Sequence, residues 1–252
     1  MINIVIPMAG RGSRFQKAGY TTPKPLISIH GCPMINVVIS NIRPSIPHRF
    51  VFICQAEAVE QYGLRHKLMD WAPGCEIVEL DHITEGAACT VLTAEQYIDR
   101  NEPLMIANSD QYVEVNIDDY LAEMDRRALD GLIMTMDADD PKWSFAALDD
   151  QDLVTRVVEK QPISRHATVG IYNFRRGGDF VDAAFSMIAQ DLRVNGEFYV
   201  APVYDQLINR GARVGVFGVG SEGQGMYGLG IPEDLNKFLS LDLSHRAVEG
   251  LI

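Results

Sequence analysis

The residues of this chain best suited to do chemistry are two arginines in a glycine-rich turn and a lysine ten residues further on. The run Ala9-Gly10-Arg11-Gly12-Ser13-Arg14-Phe15 follows an apolar stretch, Ile2-Asn3-Ile4-Val5-Ile6-Pro7-Met8, and Thr22-Pro23-Lys24-Pro25-Leu26 comes shortly after it. Glycines without a Cβ let backbone N–H groups come close to phosphate oxygens. Arginine and lysine supply the counter-charge. The combination is a way to hold a polyanion. It stands out because the chain is acidic: the formal net charge is -12 and the pI about 4.9. That balance argues against a nucleic-acid-binding surface, so a phosphate ligand has to be met by a local cluster, and Arg11, Arg14 and Lys24 are the best one.

These residues need elements to position them. Apolar periodicity predicts strands over residues 2–8, 49–54, 75–80, 103–108 and 132–137, and helices over 33–43, 57–68, 85–98 and 118–129, with Asp118 as N-cap of the last. The second half reads as strands over 144–147, 154–159, 168–174 and 213–218, with helices over 178–191, 198–210 and 232–246. Strands alternating with helices imply an α/β fold, a mostly parallel sheet covered on both faces. Ligands of such sheets sit beyond the carboxyl ends of the strands. The glycine-arginine loop and Asp110 both follow strand ends, so the two are expected in one crevice although they are far apart in sequence.

With 252 residues, 47% of them hydrophobic, the chain can build a sizeable core. Cys32, Cys54, Cys75 and Cys89 form no C-x-x-C pair and are expected as thiols in a reducing cytoplasm. The six histidines show no ligand spacing. Met1 leads straight into a strand, no leader is recognisable, and the apolar runs are too short to span a bilayer. A cytoplasmic protein with neither nucleic-acid nor membrane partners is expected; homo-oligomer formation is left open.

Further pieces fall in order along the chain: Pro23-Lys24-Pro25-Leu26, Asn108-Ser109-Asp110, Val157-Val158-Glu159-Lys160, Thr168-Val169-Gly170-Ile171-Tyr172-Asn173-Phe174, Asn195-Gly196-Glu197-Phe198-Tyr199 and Gly230-Ile231-Pro232-Glu233-Asp234-Leu235. With the glycine-arginine loop, this set resembles the sugar-phosphate nucleotidyltransferases (NDP-sugar pyrophosphorylases), in particular their bacterial capsule and lipopolysaccharide members. The resemblance implies a Rossmann-like three-layer α/β/α fold of the nucleotide-diphospho-sugar transferase type with a smaller acceptor-binding half. It implies one domain over residues 1–252, an NTP-binding half at 1–137 and an acceptor-binding half at 138–252. The implied reaction joins an NTP to a phosphorylated small-molecule acceptor, usually a sugar 1-phosphate, and releases pyrophosphate, with Mg²⁺ as cofactor.

Roles follow residue by residue from the resemblance. Arg14 and Lys24 are the expected catalytic cations, Arg14 on the β- and γ-phosphates and Lys24 nearer the α-phosphate. Ala9, Gly10, Arg11, Gly12, Ser13, Thr84, Glu85, Gly86 and Asn108 are expected to bind the nucleotide. Glu159, Lys160, Gly170 and Glu197 are expected on the acceptor side. Glu197 reads equally well as a carboxylate favoured at a helix N-terminus. Asp110 is the expected Mg²⁺ ligand. Many relatives place a second ligand, Asp or Asn, where this chain has Gly228, and Glu222 and Asp205 are the nearest substitutes. Residues 84–88 depart from the base-reading pattern of relatives, so the nucleobase is not readable. A cytidylyltransferase for a non-sugar acceptor, such as phosphocholine or a polyol phosphate, is the alternative. A GT-A-type glycosyltransferase fits less well, because the segment Ser109-Asp110-Gln111 lacks the second Asp of an Asp-x-Asp pair. A non-catalytic nucleotide sensor is the remaining reading.

Overall fold

A computed structural model describes residues 1–251. Its strands are β1 (Ile2–Pro7), β2 (Ser28–Ile29), β3 (Cys32–Pro33), β4 (His48–Gln55), β5 (Glu76–Leu80), β6 (Leu104–Ala107), β7 (Gln111–Val113), β8 (Gly131–Asp137), β9 (Ser144–Leu148), β10 (Val154–Glu159), β11 (His166–Phe174), β12 (Val214–Glu222) and β13 (Gly225–Gly228). Its α-helices are α1 (Ser13–Lys17), α2 (Met34–Asn41), α3 (Ala56–Tyr62), α4 (Leu64–Trp71), α5 (Ala87–Leu92), α6 (Ile117–Arg126), α7 (Gly177–Ala189), α8 (Val203–Ile208), α9 (Pro232–Leu239) and α10 (Asp242–Arg246).

One sheet runs in the order β5-β4-β1-β6-β11-β8-β12-β13-β7, with the β9/β10 hairpin attached to β11. Strands β5, β4, β1 and β6 are parallel throughout. Antiparallel pairing enters at β11, and β8, β12 and β13 are again parallel to one another in turn. The five residues from Ile2 to Ile6 are all buried, as a central strand covered on both faces requires. Ile2, Ile4 and Ile6 pack into one apolar cluster with α2, α4 and α6, and Val5 packs into another with α5, α7 and α8. Alternation of side chains along the strand thus builds the expected α/β/α layers.

A third cluster closes the end of the sheet that carries the chemistry. Phe15 of α1, Ile27, Ile29, Leu229, Leu235 of α9 and Leu243 of α10 meet there. Phe15 is 1% exposed and packs edge-on against Tyr20. The glycine-arginine loop is therefore anchored by the first apolar side chain after it.

Several expected elements are cut shorter. The helix expected over 57–68 breaks at Gly63, whose φ of 59° ends α3 and opens α4. The one expected over 85–98 stops at Leu92, and a 3₁₀ turn, Glu95–Tyr97, follows. Asn116, not Asp118, caps α6: its side chain accepts the Asp118 N–H at 3.0 Å. Phe198 cannot begin a helix, because its N–H donates to Glu85 O at 2.8 Å and its carbonyl accepts Ala88 N–H at 3.0 Å. The closing helix is two helices, α9 and α10. Among the described residues, no helix is long and apolar enough to cross a membrane.

Truncating Phe15 to alanine is expected to cost about 3–5 kcal/mol of unfolding free energy, measured in urea. A loss below about 1 kcal/mol would show that the loop does not depend on this anchor.

Candidate active site

Two cavities lie side by side at the carboxyl end of the parallel strands. The first, of about 430 Å³, is lined by Gly10, Arg11 and Gly12, by Pro23 and Lys24, and by Gln55, Tyr62 and residues 81–83. The second, of about 310 Å³, is lined by Arg14, Asn108, Asp110, Glu159, Gly170 and Tyr199 among others. Both are in the size range of small-molecule sites. Lys24 joins them: it lines the first, and its Nζ donates to Asp110 Oδ2 at 2.8 Å in the second. The expected crevice shared by the loop and Asp110 is present.

Local chemistry sets this geometry. Gly12 sits at φ 60°, and a Cβ added there would stand 3.2 Å from the Lys24 Cβ, so the bare loop lets the lysine pack against it. Arg11 and Arg14 are exposed and make no ion pair among the described residues, which leaves both guanidiniums for a ligand. Ser13 opens α1, and the Ala9 carbonyl accepts a hydrogen bond from Gln55 Nε2.

Asp110 follows β6 and precedes β7. Its backbone carbonyl accepts Leu229 N–H at 2.8 Å, and β7 pairs antiparallel with β13 so that Gln111 faces Gly228. Asn108 is held from below: its N–H donates to Gly170 O at 2.9 Å. Gly170 lies at φ 83° where the register of β11 against β8 shifts. A Cβ there would come within 2.1 Å of Asn108 Nδ2. Gly170 thus shapes the floor under Asn108.

The acceptor-side residues divide. Glu159 is buried in the second cavity and accepts a hydrogen bond from Ser144 Oγ. Burial pushes its carboxyl pKa up, against the opposing pull of that hydrogen bond and of Lys160. Lys160 lines neither cavity; its Nζ lies 2.6 Å from the Oη of the lining residue Tyr199 and 4.7 Å from the ring centre, and the hydrogen bond to Tyr199 pushes its pKa up. Glu197 is exposed in a tight turn next to the same group. Thr84, Glu85 and Gly86 line neither cavity; their neighbours Ile83 and Ala87 do, one in each. Glu85 instead pairs with Arg193 at 2.8 Å.

Neither substitute for the second metal ligand reaches Asp110. Asp205, on α8, accepts Val157 N–H at 2.7 Å, and Glu222 is paired with Lys142 at 2.9 Å. Each carboxylate is committed elsewhere, and neither lines the cavity. Among the described residues there is no group of three or more His, Cys, Asp or Glu arranged to hold a metal. Mg²⁺ does not require one: it is commonly bound by one or two carboxylates with waters and substrate phosphates. Asp110 fits that demand. Lys24 engages one carboxylate oxygen, Oδ1 accepts no hydrogen bond among the described residues, and Gly230 leaves open the space in which the carboxylate sits.

Residues 4–193 match the family profile described as Nucleotidyl transferase. The chain belongs to the nucleotidyl transferase family. Against curated proteins it is 24% identical over 177 residues, 69% of its length, to the bifunctional protein GlmU of Methanocaldococcus jannaschii, and it spans about 40% of that protein. Among solved structures, the nucleoside-diphosphate-sugar pyrophosphorylase of Vibrio cholerae RC9 aligns with a TM-score of 0.79 at 28% identity, covering 94% of this chain and 100% of that one. The inositol-1-phosphate CTP transferase of T. maritima shares the fold, with a TM-score of 0.73 at 16% identity over 98% and 96% of the two chains.

In this nucleotidyl transferase, sequence reasoning missed Trp143, Tyr199 and Asp234 in the second cavity and Gln55 and Tyr62 in the first. Asp234 was visible as part of Gly230-Ile231-Pro232-Glu233-Asp234-Leu235, but nothing in the spacing shows which way its side chain turns.

Glu159→Gln is expected to raise the melting temperature at pH 7.5. The folded state raises this carboxyl's pKa above the unfolded value near 4.5, so burial of the charged form costs stability as pH rises through the folded pKa. Well below the unfolded value, at about pH 3.5, both states hold the proton and the gain should vanish. Thermal melts at both pH values check it; an equal effect at both would exclude the charge as the cause.

Proposed function

We propose that this nucleotidyl transferase transfers NMP from an NTP to a sugar 1-phosphate, giving an NDP-sugar and pyrophosphate. The observation that carries the reading is the ion pair of Lys24 with Asp110 at the boundary of two cavities. One cavity offers a glycine-rich loop with the unpaired Arg11, the other the unpaired Arg14 together with a floor of polar groups. Residues 1–137 supply all of the first cavity, the NTP side, and the second draws on both halves of the chain. The name of the Vibrio cholerae neighbour, a nucleoside-diphosphate-sugar pyrophosphorylase, supports the same class.

The proposed chemistry is in-line displacement. An oxygen of the acceptor phosphate forms a bond to the α-phosphorus while the bond from that phosphorus to the α,β-bridging oxygen breaks. The electron pair of the broken bond leaves with pyrophosphate. No protein nucleophile is needed, since the acceptor phosphate is already ionised. Gly10 and Gly12 let the loop approach the phosphate chain, and Arg11 and Arg14 offset its charge. Lys24 keeps two of its three N–H donors for phosphate oxygens while the third holds Asp110. Asp110 is the proposed ligand of Mg²⁺, which when bound supplies further neutralisation of the phosphates. Glu159, Lys160 and Glu197 position the acceptor, and Asn108, in the second cavity beside Asp110, contacts the nucleotide. Cys54 takes no part: burial pushes its thiol up to about 12.

A polyol- or choline-phosphate acceptor is the second reading. It is favoured by the aromatic walls Trp143, Tyr172 and Tyr199 of the acceptor cavity. Pyrophosphate release should be measured for each of the four NTPs with sugar 1-phosphates, glycerol phosphate and phosphocholine. Turnover with a sugar 1-phosphate is expected, and Lys24→Ala should lower kcat about 10²-fold or more. Turnover confined to the non-sugar acceptors would replace the first reading by the second.

A further inference from the structure

Gly228 has no side chain with which to hold a metal, yet a carboxylate occupies the space beside it. A Cβ placed on Gly228 would have Asp234 Oδ2 as its nearest neighbour, 3.4 Å away, and a Cβ on Gly230 would have Asp110 Oδ2 only 2.5 Å away. Asp110, Gly228, Gly230 and Asp234 all line the second cavity. We propose that Asp234 is the second carboxylate of the metal position at Asp110, supplied from α9 over the bare backbone of Gly228. This rests on the reading of Asp110 given above.

The backbone brings the two acids together by independent routes. Gly228 is paired with Gln111 in the β13/β7 ladder, and Leu229 N–H holds the Asp110 carbonyl. Two residues beyond Gly230 the chain enters α9 at Pro232, whose fixed φ suits a first helical position. Leu235, 1% exposed, locks the rotation of that first turn against Phe15 and Leu229 in the third cluster. Asp234 is thereby turned toward the cavity.

The Asp234 carboxylate is free to take a cation. Its side chain is 19% exposed, it accepts no hydrogen bond among the described residues, and its only charged partner is the exposed Lys237, 3.7 Å away. A half-buried carboxylate that receives no protein donor keeps its oxygens for a cation or a ligand. Helix capping does not account for it, since Ile231 is the N-cap of α9 and no side chain caps that end. Asp110 likewise has one oxygen without a partner among the described residues. Two carboxylates over a pair of glycines, facing a cavity proposed to take phosphates, match the oxygen-rich, water-retaining preference of Mg²⁺.

The test is Mn²⁺ binding to the full chain, followed by water-proton relaxation in the presence of tripolyphosphate, which stands in for the phosphate chain of any NTP. Asp110→Asn and Asp234→Asn should each weaken Mn²⁺ binding about tenfold or more. Gly228→Asp placed in the Asp234→Asn background should restore most of the affinity, because it returns a carboxylate to the same space; circular dichroism confirms that each variant is folded. If Asp234→Asn binds Mn²⁺ like the parent while Asp110→Asn does not, Asp234 is no ligand and the reading of Asp110 stands. If both bind like the parent, the metal position itself is wrong, and this inference falls with it.

Discussion

The ion pair of Lys24 with Asp110 is the constraint on which the site depends. It ties the segment after the first strand to a turn 86 residues later, with both side chains about one quarter exposed. At that depth neither charge is fully solvated, and removing one leaves the other part-buried without its partner, which costs more than the pair contributes in isolation. Much of the surrounding architecture keeps these two groups at 2.8 Å. Gly12 makes room for the lysine, Pro23 and the 3₁₀ turn Lys24–Leu26 present it, and the β7/β13 ladder fixes the aspartate.

The pairing also explains why the third apolar cluster matters. It is small compared with the two clusters on the faces of the sheet, yet it gathers the residues just after the glycine-arginine loop, those after Lys24 and those before and within α9. Each of these segments contributes polar groups to one wall of the site, and each carries a buried apolar anchor: Phe15, Ile27, Leu229 or Leu235. The polar half of each segment is positioned by the apolar half. Such an arrangement tolerates wide variation at the exposed positions of the loops and little at the anchors.

Much of this was legible in the sequence where local physics decides the outcome. The apolar run of β1, broken only by Asn3, and that of β6 read as strands, and the glycine-arginine loop with Pro23-Lys24 points to phosphates. The parts that were not legible depend on contacts distant in sequence. Strands β7 and β13 are short, and β13 begins and ends in glycine, so no alternation marks them. Phe198 resembles the start of a helix until the backbone of residues 85–88 claims its N–H and carbonyl. Asp205 and Glu222 looked available as ligands because sequence does not reveal Val157 N–H or Lys142 as their partners. Asp234 looked like an ordinary acid in the first turn of a helix, and only the missing side chain at Gly228 shows what it stands beside.

The central claim is that Lys24 and Asp110 act as one unit on the same phosphates. A double-mutant cycle on pyrophosphate release tests it most directly, with Lys24→Ala, Asp110→Ala and the double variant compared by kcat/KM. If the claim holds, each single variant loses most of the activity, and the double variant loses little more than either alone. Losses that multiply in the double variant, or single variants that turn over like the parent, would contradict it.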